Sequence, residues 1–219
     1  MAIQRYTASL DTTITNAYKM DLQTRATGSN MGLADTLEVF SIYGQESSAS
    51  SELSRILVQF PVTEITKDRT IGNIPASGSV NFFLKMYNAE HYFTTPRDFS
   101  LTIAAITKSW QEGRGLDMDE YTDRTYDGIG SNWIKASEGQ GDSTSWERAG
   151  GDFYSDVKSS FTASFKNGTE DLEADITTLV EQWLNSAGNV LGSKTNYGVL
   201  VKFPDAKEAA TRSYYTKKF

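Results

Sequence analysis

Four separated segments set apolar side chains at every second position, and this spacing restricts the chain to a fold made of half-buried β-strands. Residues 53–60 place Ile56, Val58 and Phe60 on one face, and residues 79–87 alternate Val80, Phe82, Leu84 and Met86 against Asn81, Phe83, Lys85 and Tyr87. Residues 99–107 repeat the pattern through Phe99, Leu101, Ile103 and Ala105, and residues 197–203 through Tyr197, Val199, Val201 and Phe203. Successive side chains of a strand point to opposite faces, so a period of two marks a surface with one side on a core. Shorter β-prone runs at 12–15, 36–43 and 161–165 predict further strands. One segment changes period. Within 175–187, Ile176, Leu179, Val180, Trp183 and Leu184 fall on one helical face, and Asp175 is placed to cap the first turn. Many strands, turn-rich connections and one short helix predict an all-β fold, an antiparallel jelly-roll-like β-sandwich spanning residues 1–219 as one domain.

The longest stretch outside this pattern, residues 109–151, is rich in Gly, Ser and acids yet holds three of the four tryptophans, Trp110, Trp133 and Trp146. Large aromatics are not left wet in an unstructured linker, so the stretch reads as an ordered loop system and the place where a local function would sit. Two readings of its aromatics stand. Trp133, Trp146, Tyr121 and Tyr126 can offer flat faces to a glycan or a partner, or the tryptophans can anchor the loops to the sandwich, which is the default for large aromatics. Trp110, directly after a strand, is the expected anchor, and Trp133 or Trp146 the expected exposed ring. Asp117, Asp119, Asp123 and Asp127 can supply oxygen ligands to calcium, although the EF-hand pattern fails because Tyr121 and Thr122 stand where that loop needs a ligand and a glycine. Solvated turn aspartates are the default reading there.

The formal charge of −7, with no basic run beyond the Lys217, Lys218 pair, argues against a nucleic-acid or anionic-membrane surface. No cysteine is present, so neither disulfides nor thiolate metal sites brace the fold. The N-terminal residues show no apolar region behind a basic flank, and the expectation is a chain without a signal peptide. His91 is a lone histidine in a loop, no Gly-x-Ser-x-Gly phrase accompanies it, and paired acids are inevitable in a chain this acidic, so no enzyme is expected. Asn167-Gly-Thr169 fits a glycosylation sequon and reads as a turn.

Several phrases in order along the chain resemble the DNRLRE-type domain, a β-sandwich family related to carbohydrate-binding modules. They are Asp11-Thr-Thr-Ile14, Asn30-Met-Gly32, Leu37-Glu-Val39, Ser54-Arg-Ile-Leu-Val-Gln-Phe60, Trp110-Gln-Glu-Gly113, Asp175-Ile-Thr177 with Val180 and Trp183, and Asn196-Tyr-Gly-Val199. The wording around Asn132-Trp133, Trp146 and Gly150-Gly151 is more similar to versions carried by tailed bacteriophages as virion proteins. The resemblance implies a non-enzymatic structural subunit, a head decoration, fibre or tail-associated protein, assembled in the host bacterial cytoplasm. It would contact other capsid or tail proteins and itself as a homo-oligomer, with a trimer favoured. The alternative it carries is a carbohydrate-binding module that attaches a particle or enzyme to a host glycan. Phage relatives look as though they continue past a Tyr214-Tyr-Thr-Lys-Lys-Phe219 phrase into a further strand. The sequence is therefore expected either to be incomplete there or to be completed by a neighbouring subunit.

Overall fold

The computed structural model describes residues 3–43, 51–91, 94–116, 129–139, 141–185, 190–210 and 214–219. Its principal sheet is seven-stranded and antiparallel. In chain order its strands are β1 (Leu10–Thr15), β2 (Glu38–Tyr43), β3 (Ser51–Gln59), β5 (Phe99–Ala105), β8 (Ser160–Phe165), β10 (Val199–Lys202) and β11 (Tyr214–Lys218). Across the sheet the order is β11-β2-β3-β10-β5-β8, with β1 also on β3. Strand β3 is the shared member: residues 51–53 pair with β2, residues 54–59 with β1, and residues 56–58 with β10. Two smaller ribbons stand apart, β4 (Phe83–Met86) with β9 (Leu172–Asp175), and β6 (Lys135–Gly139) with β7 (Asp142–Ser145).

The predicted alternation decides which face each strand gives to which core. Ile56 and Val58 of β3, Leu101 and Ile103 of β5, and Val199 and Val201 of β10 point into one cluster, where the β4–β9 ribbon adds Leu84, Met86, Leu172 and Ala174. Leu57 and Leu200, on the opposite face of the same strands, join Ile14, Ile106 and the loop tryptophans in a second cluster. The sheet is thus covered on both faces, and the fold is all-β and sandwich-like, as the patterning predicts.

Three short helices are present among the described residues where one was expected. Helix α2 (Thr177–Leu184) lies inside the predicted 175–187 but is shorter, because Asn185 turns to an extended conformation. Asp175 is the last residue of β9 and still reaches the first turn, its Oδ1 accepting the Thr177 N–H at 2.9 Å. Packing outweighs that bond: Leu179, Val180 and Trp183 are buried, each contributing about 1.5–3 kcal/mol against about 1 kcal/mol for a cap. Helix α1 (Val62–Thr70) follows Pro61, buries only Ile65, and is fastened to α2 by Arg69, whose Nη1 and Nη2 donate to Glu181 at 2.9 and 2.7 Å. Helix α3 (Asp205–Glu208) follows Pro204. The expected strand 79–87 narrows to β4, although Leu84 and Met86 take the buried side as predicted.

Tyr6 ties the N-terminal segment to α1 through a 2.8 Å hydrogen bond from its hydroxyl to Asp68 Oδ2. Burial, then the Asp68 bond, raises the phenol to about 12 from 10.0. The folded chain therefore keeps a proton that the unfolded chain loses, and this part of the stability is complete below pH 10 and disappears as pH climbs towards 12. Urea midpoints measured across that interval should fall with pH, and Tyr6→Phe should make the fall shallower.

Candidate functional site

The described parts of the stretch 109–151, namely 109–116, 129–139 and 141–151, lie on the second face of the sheet and are held there from several directions. Trp110 donates its indole N–H to the Tyr197 carbonyl at 2.8 Å, at the entry to β10. Trp146 donates to the Asn132 carbonyl at 2.9 Å, and Asn132 Oδ1 in turn accepts the N–H groups of Ile134 and Lys135 at 2.9 and 2.8 Å, reversing the chain into β6. Asp152 accepts the Glu147 and Arg148 N–H groups at 2.8 and 2.9 Å and so fixes the turn after Trp146. From the N-terminal side, Asn30 donates to the carbonyls of Glu112 at 2.7 Å and Ser131 at 2.8 Å, clamping both halves of the stretch with one amide.

Trp133 and Trp146 are each only 6% exposed, so the expectation that one of them stands free is overturned. The reason is a contact that sequence spacing does not reveal. Arg55 of β3 lies over the Trp133 ring, its guanidinium carbon 5.0 Å from the centroid, and donates to the Gly150 carbonyl at 2.7 Å. Gly150 has φ +91°, and a Cβ there would come within 2.7 Å of Arg55 Nη1 and 2.8 Å of the Trp133 ring, so only glycine lets the loop close over the ring. Trp110 is buried as expected. Tyr121, Tyr126, Asp117, Asp119, Asp123 and Asp127 lie outside the described residues. Among the described residues no group of three acids or histidines is placed to hold a metal.

Arg55 belongs to a buried charge cluster between the loop and α3. Its Nε and Nη2 donate to Glu208 at 3.1 and 2.7 Å, a two-pronged pair. Lys202, on β10, donates to Glu208 at 2.8 Å, to Asp205 at 2.7 Å and to the Phe203 carbonyl at 2.9 Å. Two cations meet two carboxylates, and the Lys202 bond and charge hold the Asp205 carboxyl below its usual range. Asp205 is the open end of the cluster, and it is already engaged by Lys202, while Arg55, Lys202 and Glu208 are buried and engaged with one another. Chemically it is a brace. Away from it, a recess of about 250 Å³ between α1 and α2 is lined by Arg69 and Glu181, already paired, and falls below the roughly 300–1,000 Å³ of small-molecule sites.

No family model, no curated protein and no solved structure matches this chain.

Proposed function

We propose that the chain is a non-enzymatic structural protein of a bacteriophage virion, a head-decoration, fibre or tail-associated subunit that works through contacts with itself and with other capsid or tail proteins. In this reading the sandwich is jelly-roll-like, and the protein is assembled in the host cytoplasm. The observation that carries it is the use of the loop tryptophans. Trp110, Trp133 and Trp146 are all buried on the sheet, where they stiffen the scaffold and present no ring to a ligand. The order of the phrases from Asp11 to Val199 that resemble phage DNRLRE-type domains supports the same reading. The glycan-binding alternative asked for Trp133 and Trp146 in an open groove, and their burial weighs against it.

Light scattering after size exclusion, with and without calcium, tests the proposal. A stable oligomer, with a trimer favoured, is the expected result, because symmetric contacts are how such subunits act. A monomer in both conditions that is also retained by host polysaccharide would overturn it.

A further inference from the structure

Strand β11 carries two adjacent lysines, and they have different surroundings. Lys218 is half-exposed and faces Glu38 at 3.5 Å. Lys217 is 0% exposed, and its described partners are neutral: the Asn88 side-chain oxygen and the Gly168 carbonyl, the latter at 3.1 Å. The rings of Phe219 and Phe165 lie 4.9 and 5.5 Å from its Nζ. The comparison with Lys202 is instructive, since that equally buried lysine is matched by two carboxylates. A buried ammonium with no ion-pair partner is strongly disfavoured, and the group relaxes by shedding its proton. Burial lowers Lys217 from 10.5 to about 8, against the opposing pull of Glu170 and Asp171. The share present as free amine near neutral pH is therefore far larger than for an ordinary lysine; a free amine is a nucleophile, and here Nζ rests against a carboxamide.

The surroundings hold that pair in register. Asp171 Oδ1 accepts the Asn88 N–H at 2.9 Å, and the Ala89 N–H donates to the Lys218 carbonyl at 3.1 Å, so the segment after β4 is fixed to β11 on both sides of the contact. Glu170 uses Oε1 to accept the Lys166 and Asn167 N–H groups at 2.9 and 2.8 Å, while its Oε2 is buried with no partner. Backbone N–H groups, that of Asn167 foremost, keep this carboxyl below its ordinary range and therefore ionised. The His91 Nε2 is likewise buried and unpartnered, and burial with the charges of Lys217 and Lys218 keeps the ring neutral.

We propose that Lys217 and Asn88 react to form an internal amide cross-link, with Glu170, two residues from the Gly168 carbonyl that Lys217 contacts, as the neighbouring carboxylate that favours it. Lys217 Nζ adds to Asn88 Cγ, and a new C–N bond forms. The proton that Nζ releases passes to Asn88 Nδ2, the Cγ–Nδ2 bond breaks, and ammonia leaves. Atoms balance without any oxidant, reductant or further reagent. The product fastens β11 covalently to the segment after β4 in a chain that has no cysteine with which to do so.

The test is the mass of the purified, denatured full-length chain. It should be about 17 Da below the sequence mass, the weight of one ammonia, and a tryptic digest should yield one branched peptide joining Asn88 to Lys217. Asn88→Ala and Lys217→Met remove the reacting groups and should each restore the full mass, and Glu170→Gln, shown by circular dichroism and its urea midpoint to be folded, should lower the cross-linked fraction. The branched peptide is decisive, since Asn167-Gly168 could lose the same ammonia by closing to a succinimide. A wild-type chain of full mass giving separate linear Asn88 and Lys217 peptides would overturn the proposal. A Lys217 that stays an amine would also show itself in solution: stability would climb as pH rises from about 8 towards 10.5, where the unfolded chain still holds a proton the folded one has shed. A retained mass deficit in Glu170→Gln would remove Glu170 from the mechanism.

Discussion

Replacing Glu208 by alanine is expected to destabilise the fold by about 3–5 kcal/mol, the cost of stranding buried charge when one partner is removed. The effect should sit at the upper end, because this one carboxylate serves both Arg55 and Lys202. Glu173→Ala provides the control. Its pair with Lys85 spans 3.5 Å between side chains that are 45% and 58% exposed, so its loss should cost less than about 1 kcal/mol. Urea titrations of the two variants against the parent measure both numbers. Near-equal midpoints would show that the Arg55 cluster is not the brace described here.

Trp146→Ala should be almost as severe, at about 3–5 kcal/mol, since a large buried ring is removed and the cavity closes only in part. The Asn132 carbonyl also loses its indole donor, and with it the support of the turn into β6. Limited proteolysis should then cut within 129–151 before the rest of the chain. The variant also separates the two functional readings. An indole that served as a sugar platform would be dispensable for folding, and its removal would abolish glycan retention while leaving the melting temperature within a few degrees.

Strands β3, β5 and β10 were legible because each carries alternating apolar residues long enough to show a period, as in Phe99, Leu101, Ile103 and Ala105. Strand β9 has only Leu172 and Ala174 to show, too few to distinguish a strand from a turn. Strand β11 was missed because its sequence ends in two lysines, and a lysine is read as solvated unless its partners are known. Helix α1 has one buried residue, Ile65, so no stripe exists for periodicity to detect. That Trp110 anchors the 109–151 stretch followed from its size and its place directly after a strand, whereas the burial of both Trp133 and Trp146 did not. Which face of Trp133 is covered depends on Arg55 and Gly150, distant from it and from each other in sequence and adjacent only in the fold. The Lys217–Asn88 contact was hidden for the same reason, since nothing in either residue's neighbours announces the other.

Strand β3 sits between partners made at very different times. Its pairing with β1 is available early, yet Val58 waits for Val199, about 140 residues later in the chain. At roughly 5–20 residues per second of synthesis, that leaves one edge of β3 open for on the order of ten seconds on every ribosome. During that time the exposed run Ile56-Leu57-Val58 is a template for any other extended chain. Yield in the cell should therefore be governed less by the stability of the finished sandwich than by what shields this edge before β10 arrives.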